Sequence, residues 1–502
     1  MTKRLVLSLL LSAVFFNIQA QRFYENPILG GDFADPSVIR VGNDFYLTHS
    51  SFEYYPGLLI WHSTDLVHWK RVCHALTKYV GSVWAPDIVK HKDTWYIYFP
   101  ASGKNWVVTA PSPEGPWSEP IDLKVSGIDP GHVVDAAGKR HLYLSGGKIV
   151  PLADDGLSVT GPVEKNYNGW DIPEDWVIEG IGLESPKSTV RNGYFYLVSA
   201  MGGTAGPATS HMVIAARAKS PYGPFENSPY NPIIRTKSKA EKWWSQVHGT
   251  LVDDVSGKWW IVYHSYEKGF HTLGRQTLLM PIEWTADGWF RVPDGVNSGD
   301  RIAAPAGQPF TGNSSELSDD FSGSKLGLQW QFFKRYDPER ATVADGKLTL
   351  KAQGKTFDDT APLLVTAGDL YYEIEVEYRI DDGVTAGLTL FYNEQASIAL
   401  TVDKSQITIF NRKSRKDSNA NKYGNHGFLR IRNDNHELSF FHSADGKNWT
   451  KMRRSIDSSG YHHNVFYGFM SLRPGIFAFG DGNAVFDNFI YRNAPSTNAV
   501  IP

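Results

Sequence analysis

The sequence predicts an all-β protein, a five-bladed β-propeller followed by a β-sandwich. Three observations carry that prediction. An acidic residue beside Pro or Gly, followed at about ten residues by an aromatic, strand-like run, recurs through the first three hundred residues. Period-two alternation dominates there, and amphipathic helical patterning is nearly absent. A Pro-, Gly-, Ser- and Asn-rich stretch then separates this region from a second set of alternating strands.

The repeated unit reads ADPSVIRVGNDFYL around Asp35, APDIVKHKDTWYIY around Asp87 and IDPGHVVDAAGKRHLYL around Asp129. It returns as ESPKSTVRNGYFYLV around Glu184 and, altered, as VHGTLVDDVSGKWWIVY around His248. The aromatic ends of the five copies fall at Tyr46, Tyr96, His141, Tyr196 and Trp260, separated by 50, 45, 55 and 64 residues. That spacing suits four-stranded propeller blades, and five copies imply five blades. Equivalent positions of a circular repeat converge on its axis, so these side chains are expected to meet. The propeller is placed at residues 21–305 and a linker at 306–317. The second all-β unit, at 318–494, opens on Ser318-Asp-Asp-Phe and closes on Ala484-Val-Phe-Asp-Asn-Phe-Ile-Tyr-Arg. Two packed antiparallel sheets account for its pattern.

At 502 residues the chain is long enough for two cores. Residues 1–20 read as a secretory signal: Lys3 and Arg4, a short apolar run over 5–16, and a plausible cut after Ala20. The run is too short for a membrane span and no later stretch approaches one. The expected address is the periplasm or the medium. Cys73 is the sole cysteine, so no intramolecular disulfide can form, and no cysteine follows the signal to carry a lipid. Lys plus Arg number 50 and Asp plus Glu 53, which lacks the basic footprint of a nucleic-acid binder. Aromatics make up 13% of the chain, enough to supply flat platforms for sugar rings as well as cores.

Asp35, Asp129 and Glu184 form the central constellation. Glycosidic hydrolysis needs one carboxylic acid to protonate the leaving oxygen and one carboxylate to attack or to activate water. A third carboxylate beside the acid holds its proton on by like-charge repulsion. Each Asp-Pro alone is an ordinary turn signal; three acids in phase are not.

Here the chain resembles glycoside hydrolase family 43, five-bladed propeller enzymes acting on arabinose- and xylose-containing glycans. The resemblance extends over nearly the whole mature chain, including the C-terminal concanavalin-like jelly roll of the β-xylosidase branch. It rests on three segments. Asn26-Pro-Ile-Leu-Gly-Gly-Asp-Phe-Ala-Asp-Pro-Ser is similar to the general-base segment, Ile128-Asp-Pro-Gly-His to that of the pKa-tuning aspartate, and Leu183-Glu-Ser-Pro-Lys to that of the general acid. It implies that Asp35 is the base, Asp129 the modulator and Glu184 the acid of a single-step inverting mechanism. Ser185 stands where the family commonly has Gly. The resemblance further implies that Phe52 packs on a sugar, that Trp84 in Val83-Trp-Ala-Pro-Asp is a stacking platform, and that Arg275 in Leu273-Gly-Arg-Gln-Thr contacts hydroxyls. His248 falls near the propeller axis.

The plainer readings are that Phe52 and Trp84 are core aromatics and Arg275 a surface charge. The apolar neighbours of Arg275 argue for burial instead. His248 either hydrogen-bonds within the axis or helps hold a cation there. Asp87, one position off the phase of Asp35, reads as structural. No cofactor is needed for the chemistry and no metal cluster is expected in the site; a structural calcium at Gly480-Asp-Gly-Asn is the alternative to a tight turn. Exo-acting release of terminal α-L-arabinofuranosyl or β-D-xylosyl units from plant cell-wall glycans is the expected function. An exo-β-galactanase and a non-catalytic glycan-binding protein are the competing readings.

Overall fold

The structure is a computed structural model in which residues 22–203, 206–310 and 316–493 are described. The leader at 1–20, residues 311–315 of the linker and the boundary residue 494 lie outside them.

Five four-stranded antiparallel sheets form the propeller blades, the fourth carrying one extra short strand. Their first strands are Ser37–Val41, Asp87–His91, Gly131–Val134, Leu183–Arg191 and Trp243–Asp253. Each packs on the next, and the fifth on the first, so these five strands ring the axis. The aromatic ends Tyr46, Tyr96, His141, Tyr196 and Trp260 all fall on the second strand of their blade, as the repeat requires. Local sequence sets these hairpins. Asn192 and Gly193, for example, adopt φ of 51° and 71°, the backbone of a two-residue turn whose twist matches the strands it joins. Val, Ile, Leu and aromatic residues of neighbouring blades interleave between the sheets as the buried layers.

The chain before Asp35 closes the ring. Phe23–Tyr24 pairs with Ile302–Ala303, and Leu29 bridges Thr277. The Asn26 side chain donates to the Leu279 carbonyl (3.0 Å) and accepts the Leu279 N–H (2.9 Å). This ties the segment carrying Asp35 to the fifth-blade strand Gln276–Trp284, which follows Arg275 directly.

Two large antiparallel sheets make the C-terminal sandwich. One runs from Ser414–Ala420 through Val384–Asn393 and Arg473–Gly480 to Gln331–Phe333. Its last member is a propeller strand, Tyr54–Tyr55, with Phe332 opposite Tyr55 and Phe333 opposite Tyr54. The other is built on Asn483–Arg492, Tyr371–Ile380 and His426–Asp434. Ala34, Phe52 and Tyr54 of the propeller belong to the same buried cluster as the sandwich core. The domains thus share a sheet and a core. Burial of this kind is non-directional and adds up with area, so the shared core holds the two units in one geometry. Residues 306–310 are packed across the fifth and first blades: Ala306 donates its N–H to Asp254 of the fifth, and Phe310 lies on His62 and under Lys70 of the first. The segment Gly480–Asn483 is the turn between Arg473–Gly480 and Asn483–Arg492, with Gly480 and Gly482 both at positive φ.

Candidate functional site

The site lies at the axis, where the chain enters each first strand. Asp35, Asp129 and His248 occupy the same phase there, each with a left-handed backbone (φ 57°, 54° and 57°) immediately before Pro or Gly. In the fourth blade that position is Ser185 (φ 49°), so Glu184 sits one residue earlier than exact equivalence predicts. The register explains how it still reaches the axis. A bulge between Glu184 and Lys187 re-aims the carboxylate, and a matching irregularity between Val247 and Thr250 carries His248. The second blade has Ala85 at this phase, and Asp87 lies two residues on rather than one.

Asp87 belongs to a layer beneath the site. It pairs with Lys187 at 3.0 Å, accepts from Ser37 Oγ and accepts the His132 N–H. Lys187 Nζ also donates to the carbonyls of Pro86 and Pro130. These bonds tie four blades together around a buried ion pair, a structural role. Gly131 is needed in this layer because a Cβ there would fall 1.7 Å from the Pro186 carbonyl oxygen.

Asp35 is 4% exposed and has a donor on every side. Arg275 Nη1 donates to Oδ1 (3.0 Å) and Nη2 to Oδ2 (3.4 Å), while Ser50 Oγ donates to Oδ2. His248 Nδ1 lies 3.1 Å from Oδ1, and His264 Nδ1 accepts the Asp35 backbone N–H at 2.9 Å. Burial pushes this carboxyl up, but Arg275, His248 and His264 outweigh it and hold the group well below the usual carboxylate range. Asp129, 3% exposed, behaves oppositely. It accepts from Ser145 Oγ (2.9 Å) and from the Ser185 N–H (3.1 Å), yet burial, with Glu184 and Asp35 nearby, pushes it up to about 6. Two carboxyls of one site are thus driven apart in acidity by their surroundings.

Glu184 is the more open of the three, its side chain 27% exposed, with His248 Nε2 and His211 Nε2 each 3.8 Å from Oε2. Burial pulls His248 down, but Asp35, Glu184 and Asp129 outweigh that and raise it. Burial takes His264 down to about 3, leaving a neutral ring. Two groups, Asp35–His248–His264 and Glu184–His211–His248, have potential ligand atoms within 4.8 Å of one another and could hold a cation. Asp35 is already engaged by Arg275, which makes the second group the freer one.

The binding residues assemble on the same mouth. Arg275 is buried, as its apolar neighbours predict, with its guanidinium 5.5 Å from the Phe52 ring and 5.1 Å from that of Phe469. Phe52 is itself buried in the core shared with the sandwich and fixed by paired backbone bonds with Val83, so it is a core aromatic behind Arg275 and not the sugar-facing ring expected. Trp84 is 37% exposed, its indole N–H donating to Ser82 Oγ (2.9 Å) and its ring edge-on to Phe469 at 6.2 Å. It is therefore a rim aromatic rather than a core one. Phe469 comes from the sandwich, where His463 stacks on it at 4.2 Å. Sequence reading missed Phe469, His211, His264 and Ser50. His264 carried a usable signal, a lone histidine inside the continuous aromatic-apolar strand Trp259–Glu267; Phe469 carried none. A groove of about 1470 Å³ lies between the fifth blade and the 300–308 segment, away from all three acids.

The arrangement offers an ionised carboxylate, a second carboxyl open to solvent, a third that repels it, and an aromatic-lined mouth with one buried arginine. Comparison with known proteins agrees. The profile described as glycosyl hydrolases family 43 matches residues 24–290, and that described as the beta xylosidase C-terminal concanavalin A-like domain matches 318–492. A non-reducing end alpha-L-arabinofuranosidase of Bacteroides ovatus is 33% identical over 368 residues, covering 67% of this chain and 66% of the relative. A xylosidase/arabinosidase of Humicola insolens is 28% identical, covering 93% and 97%. The crystal structure of a xylan beta-1,4-xylosidase from Bacillus halodurans superposes with a TM-score of 0.83 at 26% identity, covering 93% and 99%. The chain belongs to glycoside hydrolase family 43.

Proposed function

We propose that the protein is an inverting, exo-acting glycoside hydrolase that releases terminal α-L-arabinofuranosyl or β-D-xylosyl units from plant cell-wall glycans. The observation that carries this reading is the convergence of Asp35, Asp129 and Glu184 on one axis beside a buried Arg275. In the single step, Asp35 takes a proton from water as the water oxygen bonds to the anomeric carbon. The bond to the leaving oxygen breaks as Glu184 delivers its proton there. His248 lies between the two, its Nδ1 3.1 Å from Asp35 Oδ1 and its Nε2 3.8 Å from Glu184 Oε2; an inverting pair stands roughly 6.5–9.5 Å apart to admit the water.

Asp129, whose own acidity is weakened by Glu184, keeps negative charge beside the acid and fixes the Ser185 peptide next to it. Arg275 holds Asp35 as a carboxylate and reaches sugar hydroxyls. Trp84 and Phe469 place the ring, backed by the Arg275 that Phe52 packs against, which matters because a misplacement of about 1 Å can cost roughly a hundredfold in rate. The relatives named as xylosidases and arabinosidases support pentose substrates. None of these steps calls for a metal. Lys3, Arg4 and the apolar run before Ala20 support export to the periplasm or medium; no helix among the described residues is long and apolar enough to cross a membrane.

The test is a paired assay of the purified protein on aryl β-D-xylopyranoside and aryl α-L-arabinofuranoside. Hydrolysis of either supports the reading and ranks the sugars. Inactivity on both and on aryl galactosides, with oligosaccharide binding retained, replaces it with a glycan-binding protein.

A further inference from the structure

A buried cation of the sandwich lies behind the propeller site. Arg473 begins a sandwich strand, is 2% exposed, and lies flat on the propeller residue Tyr54, its guanidinium carbon 3.4 Å from the ring centroid. Its Nη1 donates to Gln331 (2.8 Å), and its Nη2 faces Asp32 Oδ2 at 4.0 Å. Asp32 is equally buried, and its Oδ1 accepts the backbone N–H of Arg275 at 3.2 Å. The fit there is tight. Gly274 has φ 73°, and a Cβ on it would fall 2.4 Å from the Asp32 carboxyl. Arg275 in turn holds both oxygens of Asp35.

We propose that Arg473 is a positioning residue for the propeller site, acting through Asp32 on the backbone of Arg275. A carboxylate this deeply buried is tolerated only when paired and hydrogen-bonded. Asp32 Oδ2 and Arg473 Nε have no hydrogen-bond partner among the described residues; burial pushes the Asp32 carboxyl up to about 6, and Arg473 and Arg275 are the cations that oppose it. With Arg473 gone, Asp32 must take up a proton or repel its surroundings. Either change loosens the peptide that aims Arg275 at Asp35. The sandwich then contributes to catalysis through a charge as well as through the Phe469 ring at the mouth.

This inference rests on the roles given above to Arg275 and Asp35, and the experiment separates the two. The full chain is compared with Arg473→Met, Arg473→Lys, Asp32→Asn and the Arg473→Met/Asp32→Asn double variant. Thermal unfolding is followed alongside kcat/KM on whichever aryl glycoside the wild type hydrolyses best. Arg473→Met and Asp32→Asn are each expected to lose about tenfold or more in kcat/KM, by analogy with small misplacements of catalytic groups. Arg473→Lys is expected to keep most of the activity. The double variant is expected to be no worse than the poorer single, since both break one connection. A purely structural role gives a lower Tm with kcat/KM of the folded enzyme unchanged, or losses that multiply in the double variant; either result overturns the proposal. Should Arg473→Met not fold, Asp32→Asn with kcat/KM within twofold of wild type overturns it equally. A wild type with no hydrolytic activity refutes the enzyme reading instead.

Discussion

Arg275 holds Asp35 with both terminal nitrogens, 3.0 Å to one carboxylate oxygen and 3.4 Å to the other, in a site where each residue is almost fully buried. Two consequences follow from so close a pair. The carboxylate stays ionised far into the acid range, and its orientation is set by a planar fork that a lysine cannot reproduce.

Replacing Arg275 by Met therefore leaves Asp35 buried beside only His248, His264 and Ser50. Truncating one partner of a buried charge pair costs about 2–5 kcal/mol, which is roughly thirtyfold to several thousandfold in kcat/KM. Arg275→Lys is expected to recover only part of this. Steady-state kinetics on a pentoside decide the matter, and wild-type kcat/KM in Arg275→Met contradicts the assignment.

The acidity of Asp129 predicts the acid side of the pH profile. Asp35 is too acidic to set that limb, whereas Asp129 ionises at about 6. Activity should fall as the pH drops through that value, and the limb should vanish from the much weaker Asp129→Asn variant. Stability should move the other way. The folded pKa of Asp129 lies above its unfolded value, so between roughly pH 4 and 6 the native state binds more protons and loses stability as the pH rises. Asp129→Asn should accordingly unfold at a higher temperature than wild type at pH 7, with the gap closing below pH 4. A limb near pH 6 that survives in Asp129→Asn assigns it to another group.

Removing either rim aromatic should weaken sugar binding. Trp84 is 37% exposed and meets Phe469 at the mouth, while Phe469 also faces Arg275, stacks on His463 and packs against the sandwich core. Trp84→Ala and Phe469→Ala are each expected to raise KM about fivefold, in line with a ring contact worth about 1 kcal/mol. The Tm of Trp84→Ala should change little, whereas that of Phe469→Ala should fall with the loss of its core contacts. Unchanged KM in both places the sugar elsewhere.

Much of this was legible in the sequence, for definite physical reasons. Blade count followed from the spacing of Tyr46, Tyr96, His141, Tyr196 and Trp260, because each repeat must bury its own aromatic strand against the next. Arg275 could be expected inside because apolar strand residues flank it. The exact phase of Glu184 was not legible, since a bulge adds a residue without leaving a compositional mark. Nor were Phe469 and Arg473. Their roles depend on how the sandwich sits on Tyr54–Tyr55, a long-range pairing that no local pattern encodes.

Proton NMR of the first sugar released from xylobiose, or from another pentoside the enzyme cleaves, tests the central claim most directly. With Asp35 as base and Glu184 as acid on opposite faces, the initial product carries the inverted anomer, α-xylose from a β-xyloside. A retained anomer as first product would contradict the account, because it requires a covalent intermediate and a nucleophile where Asp35 is assigned to water.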